Sequence, residues 1–194
     1  MIKRRIKRIF IQFSVKTHQN NEKNSDMVKK TNERFFDMLG EILSAKDCAN
    51  CRVCCGFVES DKWEIPIIFA ENKEKIEKKL GVSLEKRGEE YVFPMKFDGE
   101  KIVFCPAASE NGCTLGELKP LDCAFWPFRV NSLGNFRVIT VSPVCESVSS
   151  LPLKTLCGFI RKNGFAEKLF AAAKQHPDIV KPYLSGYPIL AVEE

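Results

Sequence analysis

Four cysteines fall within eight residues of one another, and this spacing is the strongest chemical signal in the sequence. They form the run Cys48-Ala-Asn-Cys51-Arg-Val-Cys54-Cys55. Two thiolates separated by two residues can reach one ion, which is why this spacing recurs in zinc and iron–sulfur sites. A third cysteine after two more residues is less common in zinc ribbons and matches the core of cluster-binding ferredoxin segments. The run therefore predicts a cysteine-ligated metal centre.

The adjacent pair Cys54-Cys55 constrains how such a centre can be built. Neighbouring side chains point to opposite faces of an extended backbone. On a helix, Cys48, Cys51 and Cys55 would share a face and Cys54 would point away. In either case we expect the two neighbours to contribute unequally to one centre. One of them would serve a second centre or a structural role.

A second group of cysteines lies further along the chain, at Cys105, Cys113, Cys123 and Cys145. Eight cysteines are enough for two tetrahedral sites, or for one cluster with spare thiols. Soft thiolates without nearby histidine favour zinc or iron–sulfur over magnesium, calcium or a histidine-rich iron site. His18 and His176 fall at no metal-ligand spacing with the cysteines, so we expect neither to be a ligand. Cys157 lies on the apolar side of a predicted helix and is expected to be a buried free thiol.

Composition indicates the kind of protein in which these cysteines act. The chain has 194 residues, 44% of them hydrophobic, so one domain with an ordinary core can form without disulfide staples. The apolar stretch 9–15 is short and interrupted, which makes a poor signal peptide, and no stretch approaches the roughly 20 apolar residues that span a bilayer. We therefore expect a cytoplasmic protein whose cysteines bind metal. Disulfides are the main competitor, because intracellular disulfides occur in hyperthermophiles and the composition is rich in Lys and Glu.

The net charge of +5 is unevenly distributed. Residues 1–16 carry six basic side chains and no acidic one, which leaves −1 on the rest of the chain. The main domain is therefore not expected to hold nucleic acid, whereas a protein partner stays open. The basic tail could touch RNA or an anionic membrane as an amphipathic segment. A solvated terminus is the simpler interpretation, and we favour it.

Local patterns predict the elements that position the cysteines. Helices are expected at 27–43, 71–80, 152–162 and 165–175, a short strand at 65–69, and hairpins around Asp98-Gly99 and within 128–141. The segment 106–128 is dense in Pro, Gly and Cys and is predicted to be loop-like. The fold class is α+β, with small antiparallel strands and flanking helices around a cysteine-ligated metal centre. The expected divisions are a basic tail and linker at 1–26, a cysteine-cluster domain at 27–148, and a helical C-terminal extension at 149–194.

The residues around the cysteines resemble a known family. Its pattern is similar to Cys48-x2-Cys51-x2-Cys54-Cys55, then Cys105-Pro106, then Cys113-Thr-Leu-Gly-Glu117-Leu-Lys119-Pro120-Leu-Asp-Cys123-Ala-Phe-Trp-Pro127, then Cys145. This arrangement resembles the YkgJ-type CxxCxxCC cysteine-cluster family, described as a zinc- or iron-chelating domain. The resemblance covers about residues 45–148. It implies metal binding by the eight motif cysteines and gives no settled reaction.

The chain departs from the family pattern at four positions, Gly116, Lys119, Ala124 and Trp126. The family tends to have arginine at the positions of Lys119 and Ala124. If those arginines steady thiolate charge or bind an anion, this chain lacks the bidentate version of that contact. Any activity that depends on them is in doubt here, whereas metal binding is not.

Three functions fit the sequence and stay open at this point. The first is an iron–sulfur protein, redox-active or accessory to an enzyme. The second is a structural zinc module that mediates protein interactions. The third is a thiol oxidoreductase or disulfide-stabilised protein without metal. No catalytic acid or base can be assigned, because Glu117 and Asp122 could each simply face water, so whether the protein is an enzyme stays open.

Overall fold

The computed structural model of the protein describes residues 38–193. The basic tail, the linker and most of the helix predicted at 27–43 lie outside these residues. Within them, the chain forms six helices and ten short strands. None of these helices has the length and apolarity that a membrane crossing requires.

Short elements make up the half of the chain that carries most of the cysteines. In chain order they are α1 (Ala45–Cys51), β1 (Gly56–Phe57), α2 (Lys73–Leu80), β2 (Glu85–Arg87), β3 (Glu90–Val92), β4 (Val103–Phe104), β5 (Ala108–Ser109), β6 (Gly112–Cys113) and α3 (Leu121–Ala124). The strands form three separate antiparallel pairs, β1 with β4, β2 with β3, and β5 with β6. Short 3-10 turns connect them, one of which is Val53–Cys55.

A four-stranded sheet and two longer helices form the other half. The elements are β7 (Phe128–Leu133), β8 (Phe136–Val141), α4 (Glu146–Ser149), α5 (Leu153–Arg161), α6 (Phe165–Gln175), β9 (Lys181–Pro182) and β10 (Ile189–Val192). The strand order is β10-β8-β7-β9, in which β7 and β9 run parallel and the other pairs are antiparallel. Residues on both sides of the boundary predicted at 148/149 therefore contribute to one sheet.

Aromatic packing joins this sheet to the helices. The fully buried ring of Phe128 on β7 lies 5.5 Å from the ring of Phe159 on α5 and 5.2 Å from that of Phe165 on α6. Such pairs stabilise a core beyond the area that they bury. The same core continues into the cysteine-rich half through buried residues such as Phe93 and Leu121. The whole is a mixed helix and sheet fold with small antiparallel strand pairs, as expected for α+β.

Elements with a strong local signal are confirmed. Helix α2 ends at Gly81, whose φ of 67° lets its N–H donate to Glu77 O at 2.8 Å; this is the usual role of glycine after a helix. The helices predicted at 152–162 and 165–175 are α5 and α6. The hairpin predicted within 128–141 is β7–β8, with Leu133 opposite Phe136.

Two strand predictions are wrong. The turn at Asp98-Gly99 exists, with Gly99 at φ 60°, but the strands on either side of it do not pair with each other. Strand β4 instead pairs with β1, directly after the first cysteine run. The segment 65–69 makes a single bridge, from Ile68 to Tyr91, and no strand. Its residues are apolar because they are buried in the core, which local pattern alone does not separate from a strand.

Candidate metal centre

Helix α1 presents the first two cysteines. Ser44 begins the helix, and its Oγ accepts a hydrogen bond from the Asp47 N–H at 3.0 Å, which is the standard side-chain cap for an N-terminal amide. Cys48 and Cys51 are three residues apart on this helix and therefore lie on neighbouring turns of the same side. The helix positions two thiols for a common site.

Arg52 ends that helix and redirects the chain. Its φ of 51° is in the left-handed region, and its N–H donates to Cys48 O at 3.1 Å. Non-glycine residues rarely adopt this conformation. The following 3-10 turn, Val53–Cys55, therefore leaves the axis of α1, and Cys55 does not continue the helical face of Cys48 and Cys51. A face shared by Cys48, Cys51 and Cys55 requires an unbroken helix, which the chain does not form here.

A pocket forms where α1, this turn and the start of α4 meet. Its volume is ≈ 20 Å³, and four cysteines contribute to its walls: Cys48, Cys51, Cys54 and Cys145. Cys145 directly precedes α4, and its carbonyl accepts a hydrogen bond from Ser149 N–H at 2.8 Å. A cavity of roughly 10–15 Å³ holds one water, so this pocket has room for a single ion. Sequence reasoning included all four residues but did not predict that Cys54, rather than Cys55, faces the pocket.

The other four motif cysteines, Cys55, Cys105, Cys113 and Cys123, do not line the pocket. Cys105 N–H donates to Cys55 O at 2.7 Å, which places these two residues side by side at the β1–β4 pair. Ala108 N–H donates to Cys105 O at 2.9 Å, and Ala108 is paired with Cys113 across β5–β6. Cys123 is carried by α3 and interacts electrostatically with both Cys105 and Cys113.

Close packing holds β6 against α1. A side chain at Gly112 would bring its Cβ to 3.6 Å from the Ala49 Cβ, and the glycine φ of 99° disfavours any other residue there. Thr114 closes the loop by donating from its N–H and its Oγ1 to Ala107 O, at 2.8 and 3.1 Å. The two cysteine groups are therefore adjacent rather than separate in the fold.

Hydrogen bonds within the first run set the protonation of its thiols. The thiol of Cys54 is hydrogen-bonded to both Cys48 and Cys55. The hydrogen bond with Cys54 lowers the pKa of Cys48 to about 6 and that of Cys55 to about 7, and the single S–H of Cys54 donates to one of them at a time. The same hydrogen bonds raise the pKa of Cys54. At neutral pH this arrangement favours thiolate at Cys48, and thiolate is the form that binds metal.

Burial acts in the opposite direction on the remaining thiols. It raises the pKa of Cys105 to about 12, and it also raises the pKa of Cys113, Cys123 and Cys145. The positive charge of Lys119 opposes that rise at Cys113 and Cys123. The ammonium group of Lys119 therefore favours the thiolate form of these cysteines. It lacks the planar guanidinium of an arginine, which the YkgJ-type pattern tends to have at this position.

A buried arginine packs against the aromatic residue in one wall of the pocket. Trp126 lines the pocket, and the guanidinium of Arg129 lies 4.6 Å from the centre of its ring and 5.9 Å from that of Trp63. Arg129 also forms an ion pair with Glu64. This contact could not be predicted from local pattern, because Glu64 and Arg129 are 65 residues apart.

The cysteine thiols are ligands that suit a soft metal, but their side chains are not arranged around a common point. All nine cysteines are free thiols, and Cys157 on α5 is outside both groups. Within residues 38–193, no three His, Cys, Asp or Glu side chains stand at metal-binding distances from a common point. A thiol Sγ moves between three staggered positions by rotation about χ1, so grouped thiols on a fixed backbone can turn towards an ion.

The other candidate residues from the sequence contribute little to the pocket. His176 stacks on Phe69, with 4.0 Å between the ring centres, and does not line the pocket, whereas His18 lies outside the described residues. Glu117 is exposed to solvent. Asp122 Oδ2 accepts a hydrogen bond from Ile67 N–H at 3.2 Å, which anchors α3 to the core, and the charge of this carboxylate raises the pKa of Cys123.

Comparisons with family models, with curated proteins and with solved structures gave no match to this chain. The resemblance to the YkgJ-type family stays a prediction from the cysteine spacing.

Proposed function

We propose that this chain is a metal-binding protein in which cysteine thiolates hold zinc, and that the metal stabilises the cysteine-rich half of the fold. The observation that carries the proposal is the pocket of ≈ 20 Å³ with four cysteines in its walls. Four thiolates around one ion is the usual composition of a structural zinc site. With all four positions taken by protein, such a site leaves no open position for substrate.

A single ion is the simpler occupant. Four thiolates complete a tetrahedral zinc site with no further ion, whereas an iron–sulfur cluster needs several iron and sulfide ions besides them. An iron–sulfur cluster, redox-active or accessory to an enzyme, is the alternative. It requires the surrounding turns to open, since Cys54 is in a hydrogen-bonded 3-10 turn.

A structural metal also meets a need of this part of the fold. Strand pairs β1–β4 and β5–β6 have two residues in each strand, and α3 and α4 have four residues each. Isolated pairs of this length are not stable in water. All nine thiols are free, so no disulfide reinforces these elements. Metal bonds that join several such segments contribute folding free energy directly.

Exposed apolar side chains near the pocket suggest how a metal-stabilised module could act on a protein partner. Val53 and Val144 line the pocket and are 48% and 46% exposed. On the nearby strand β4 and the residue before it, Phe104 is 53% exposed and Ile102 is 63% exposed. Exposed apolar groups close together are typical of interaction sites. We place such a module in the cytoplasm, where thiols stay reduced and available to metal.

We test the proposal by counting zinc, iron and acid-labile sulfide in protein purified without oxygen. We expect bound zinc, with iron and sulfide near zero, and the same zinc content in Cys157→Ser as a matched control. We expect Cys48→Ser to lose zinc, because Cys48 lines the pocket. Protein that holds no zinc after reconstitution under reducing conditions would contradict the proposal, and matched iron and sulfide would support the cluster instead.

A further inference from the structure

Two of the thiols in the pocket wall contact each other. Cys48 and Cys54 both line the pocket, and the Cys54 thiol is hydrogen-bonded to Cys48 as well as to Cys55. A disulfide requires two sulfur atoms that small rotations of their side chains can bring to bonding distance. Thiols that are already in hydrogen-bond contact meet this requirement.

The backbone turn at Arg52 brings these two thiols together. Arg52 ends α1 with a φ of 51°, and its N–H donates to the Cys48 carbonyl at 3.1 Å. The chain then enters the 3-10 turn Val53–Cys55, which holds Cys54 beside the end of the helix that carries Cys48. Because the loop between the two cysteines is short and already closed, joining them costs little further chain entropy.

The second contact of Cys54, with Cys55, is poorly suited to a disulfide. The Cα atoms of adjacent residues are about 3.8 Å apart across a trans peptide, whereas ordinary disulfides join residues whose Cα atoms are about 4.4–6.8 Å apart. A bond between these two neighbours would therefore strain the backbone. Cys48 is the preferred partner of Cys54.

We propose that a peroxide oxidises Cys48 and Cys54 to a disulfide, and that this disulfide releases the metal from the pocket. The inference rests on the proposed metal-binding function and adds its regulation by oxidation. Sulfur atoms in a disulfide are no longer thiolates, and thiolate is the form that binds metal. Of the four cysteines in the pocket wall, only Cys51 and Cys145 remain as ligands, which is too few for a structural zinc site.

The oxidation balances with one molecule of hydrogen peroxide. The sulfur of one cysteine attacks a peroxide oxygen and the O–O bond breaks, which leaves a sulfenic acid and releases water. The sulfur of the other cysteine then attacks the sulfenic sulfur, so that the S–S bond forms and the S–O bond breaks to release a second water. The two thiols together lose two electrons and two protons. Exchange with a cellular thiol such as glutathione reverses the step and restores both thiols.

A small oxidant can reach the pair from solvent. Cys48 and Cys54 are half-buried, and Cys51 in the same pocket wall is exposed. Val53 and Val144 also line the pocket, and about half of each side chain is exposed. Oxidation by peroxide depends on this access, because thiols closed off from solvent do not meet the oxidant.

Peptide mapping identifies the disulfide, because trypsin cleaves after Arg52 and so separates the two cysteines. Cys48 lies in the tryptic peptide 47–52 and Cys54 in the peptide 53–62. The full-length protein, purified without oxygen, is treated with equimolar hydrogen peroxide, and the remaining thiols are then alkylated before digestion. We expect the two peptides to be linked, with fragmentation placing the bond between Cys48 and Cys54.

The linked peptides should be lost in Cys54→Ser and kept in the matched control Cys157→Ser. A disulfide within either peptide alone, or a link through Cys51 or Cys55, would overturn the inference. The wild-type map gives this result by itself, so the test does not depend on whether Cys54→Ser folds.

Zinc release is measured in the same samples with a chromophoric chelator, and bound zinc is counted before peroxide is added. We expect zinc to be released in proportion to the linked peptides, and reduction by dithiothreitol to restore zinc binding. Zinc that stays bound while the peptides become linked would overturn the inference and leave the proposed function intact. Protein without zinc before peroxide is added would overturn the proposed function and, with it, the regulation of the metal.

Discussion

Replacement of Arg129 by methionine tests the contact that supports the pocket wall. The Arg129 and Glu64 side chains are only 11% and 16% exposed. The Arg129 guanidinium also faces the rings of Trp126 and Trp63. Burial lowers the pKa of Arg129 to about 10, so it keeps its charge at neutral pH. Arg129→Met removes the cation and leaves the Glu64 carboxylate buried without its partner.

The size of the effect follows from that burial. Removing one partner of a buried ion pair costs about 3–5 kcal/mol, because an uncompensated charge stays in the interior. For a protein of this size, about 1 kcal/mol corresponds to roughly 2–4 °C in the unfolding midpoint. We therefore expect Arg129→Met to lower the midpoint by roughly 6–20 °C. The double variant Glu64→Leu/Arg129→Met removes both charges and should recover most of this loss.

Thermal unfolding followed by circular dichroism, at a fixed excess of free zinc, measures these differences. Lys162→Met is the matched control, because the Lys162–Glu41 pair is 57% and 41% exposed; exposed pairs contribute less than about 1 kcal/mol. An Arg129→Met midpoint within the range of this control would refute the assignment of a buried, necessary charge pair. A double variant no better than Arg129→Met would refute the role of the stranded carboxylate.

Three further predictions concern the remaining parts of the fold. Chelation of the metal should abolish hydrogen-exchange protection in β1 and β4 while β7 and β8 keep theirs, because the latter pair belongs to the aromatic core; equal loss in both would contradict a local role of the metal. Thr140→Val should lower the free energy of unfolding, measured in urea, by about 1–3 kcal/mol. Thr140 Oγ1 donates to the buried Asn131 Oδ1 at 2.6 Å, and the substitution leaves that amide oxygen unpaired. Thr155→Val, on the exposed surface of α5, is the control, and equal effects of the two substitutions would contradict the prediction. Glu77→Gln should destabilise the protein at neutral pH and no longer do so in acid. The pKa of Glu77 is lowered by its Lys73 partner and by the Leu84 N–H, so its stabilising effect is present above the ordinary value of 4.5 and is lost as the pH falls through the lower folded pKa; a destabilisation independent of pH would contradict this.

The helices and one hairpin could be predicted because their signals are local. Gly81 marks the end of α2 through a conformation that glycine adopts at little cost. The β7–β8 hairpin has a turn of two residues, so its register is fixed nearby in the chain. Strand β4 is different, because its partner β1 is nearly fifty residues earlier. Nothing local in 91–105 indicates that pairing.

The residues of the candidate site could be predicted from the sequence, but their arrangement in space could not. Cysteine spacing indicated all eight thiols, because short spacing implies a shared ion. Cys54 lines the pocket and Cys55 does not, because the left-handed conformation of Arg52 redirects the chain before them. Arginine carries no sequence signal for that conformation. The partnership of Glu64 with Arg129 is likewise set by the tertiary fold. Residue types suggest the chemistry, whereas contacts distant in sequence decide the geometry.

X-ray absorption at the zinc edge, on native protein purified without oxygen, shows whether cysteine thiolates hold the metal. We expect a single shell of four sulfur atoms at about 2.3 Å, the distance of zinc–thiolate bonds. We expect no nitrogen or oxygen in that shell, because no histidine of the described residues lines the pocket and the Asp47 carboxylate in its wall accepts a hydrogen bond from Ser44 Oγ at 2.6 Å. A shell with nitrogen or oxygen ligands, or a metal content dominated by iron with neighbouring iron atoms, would contradict a zinc site of four thiolates.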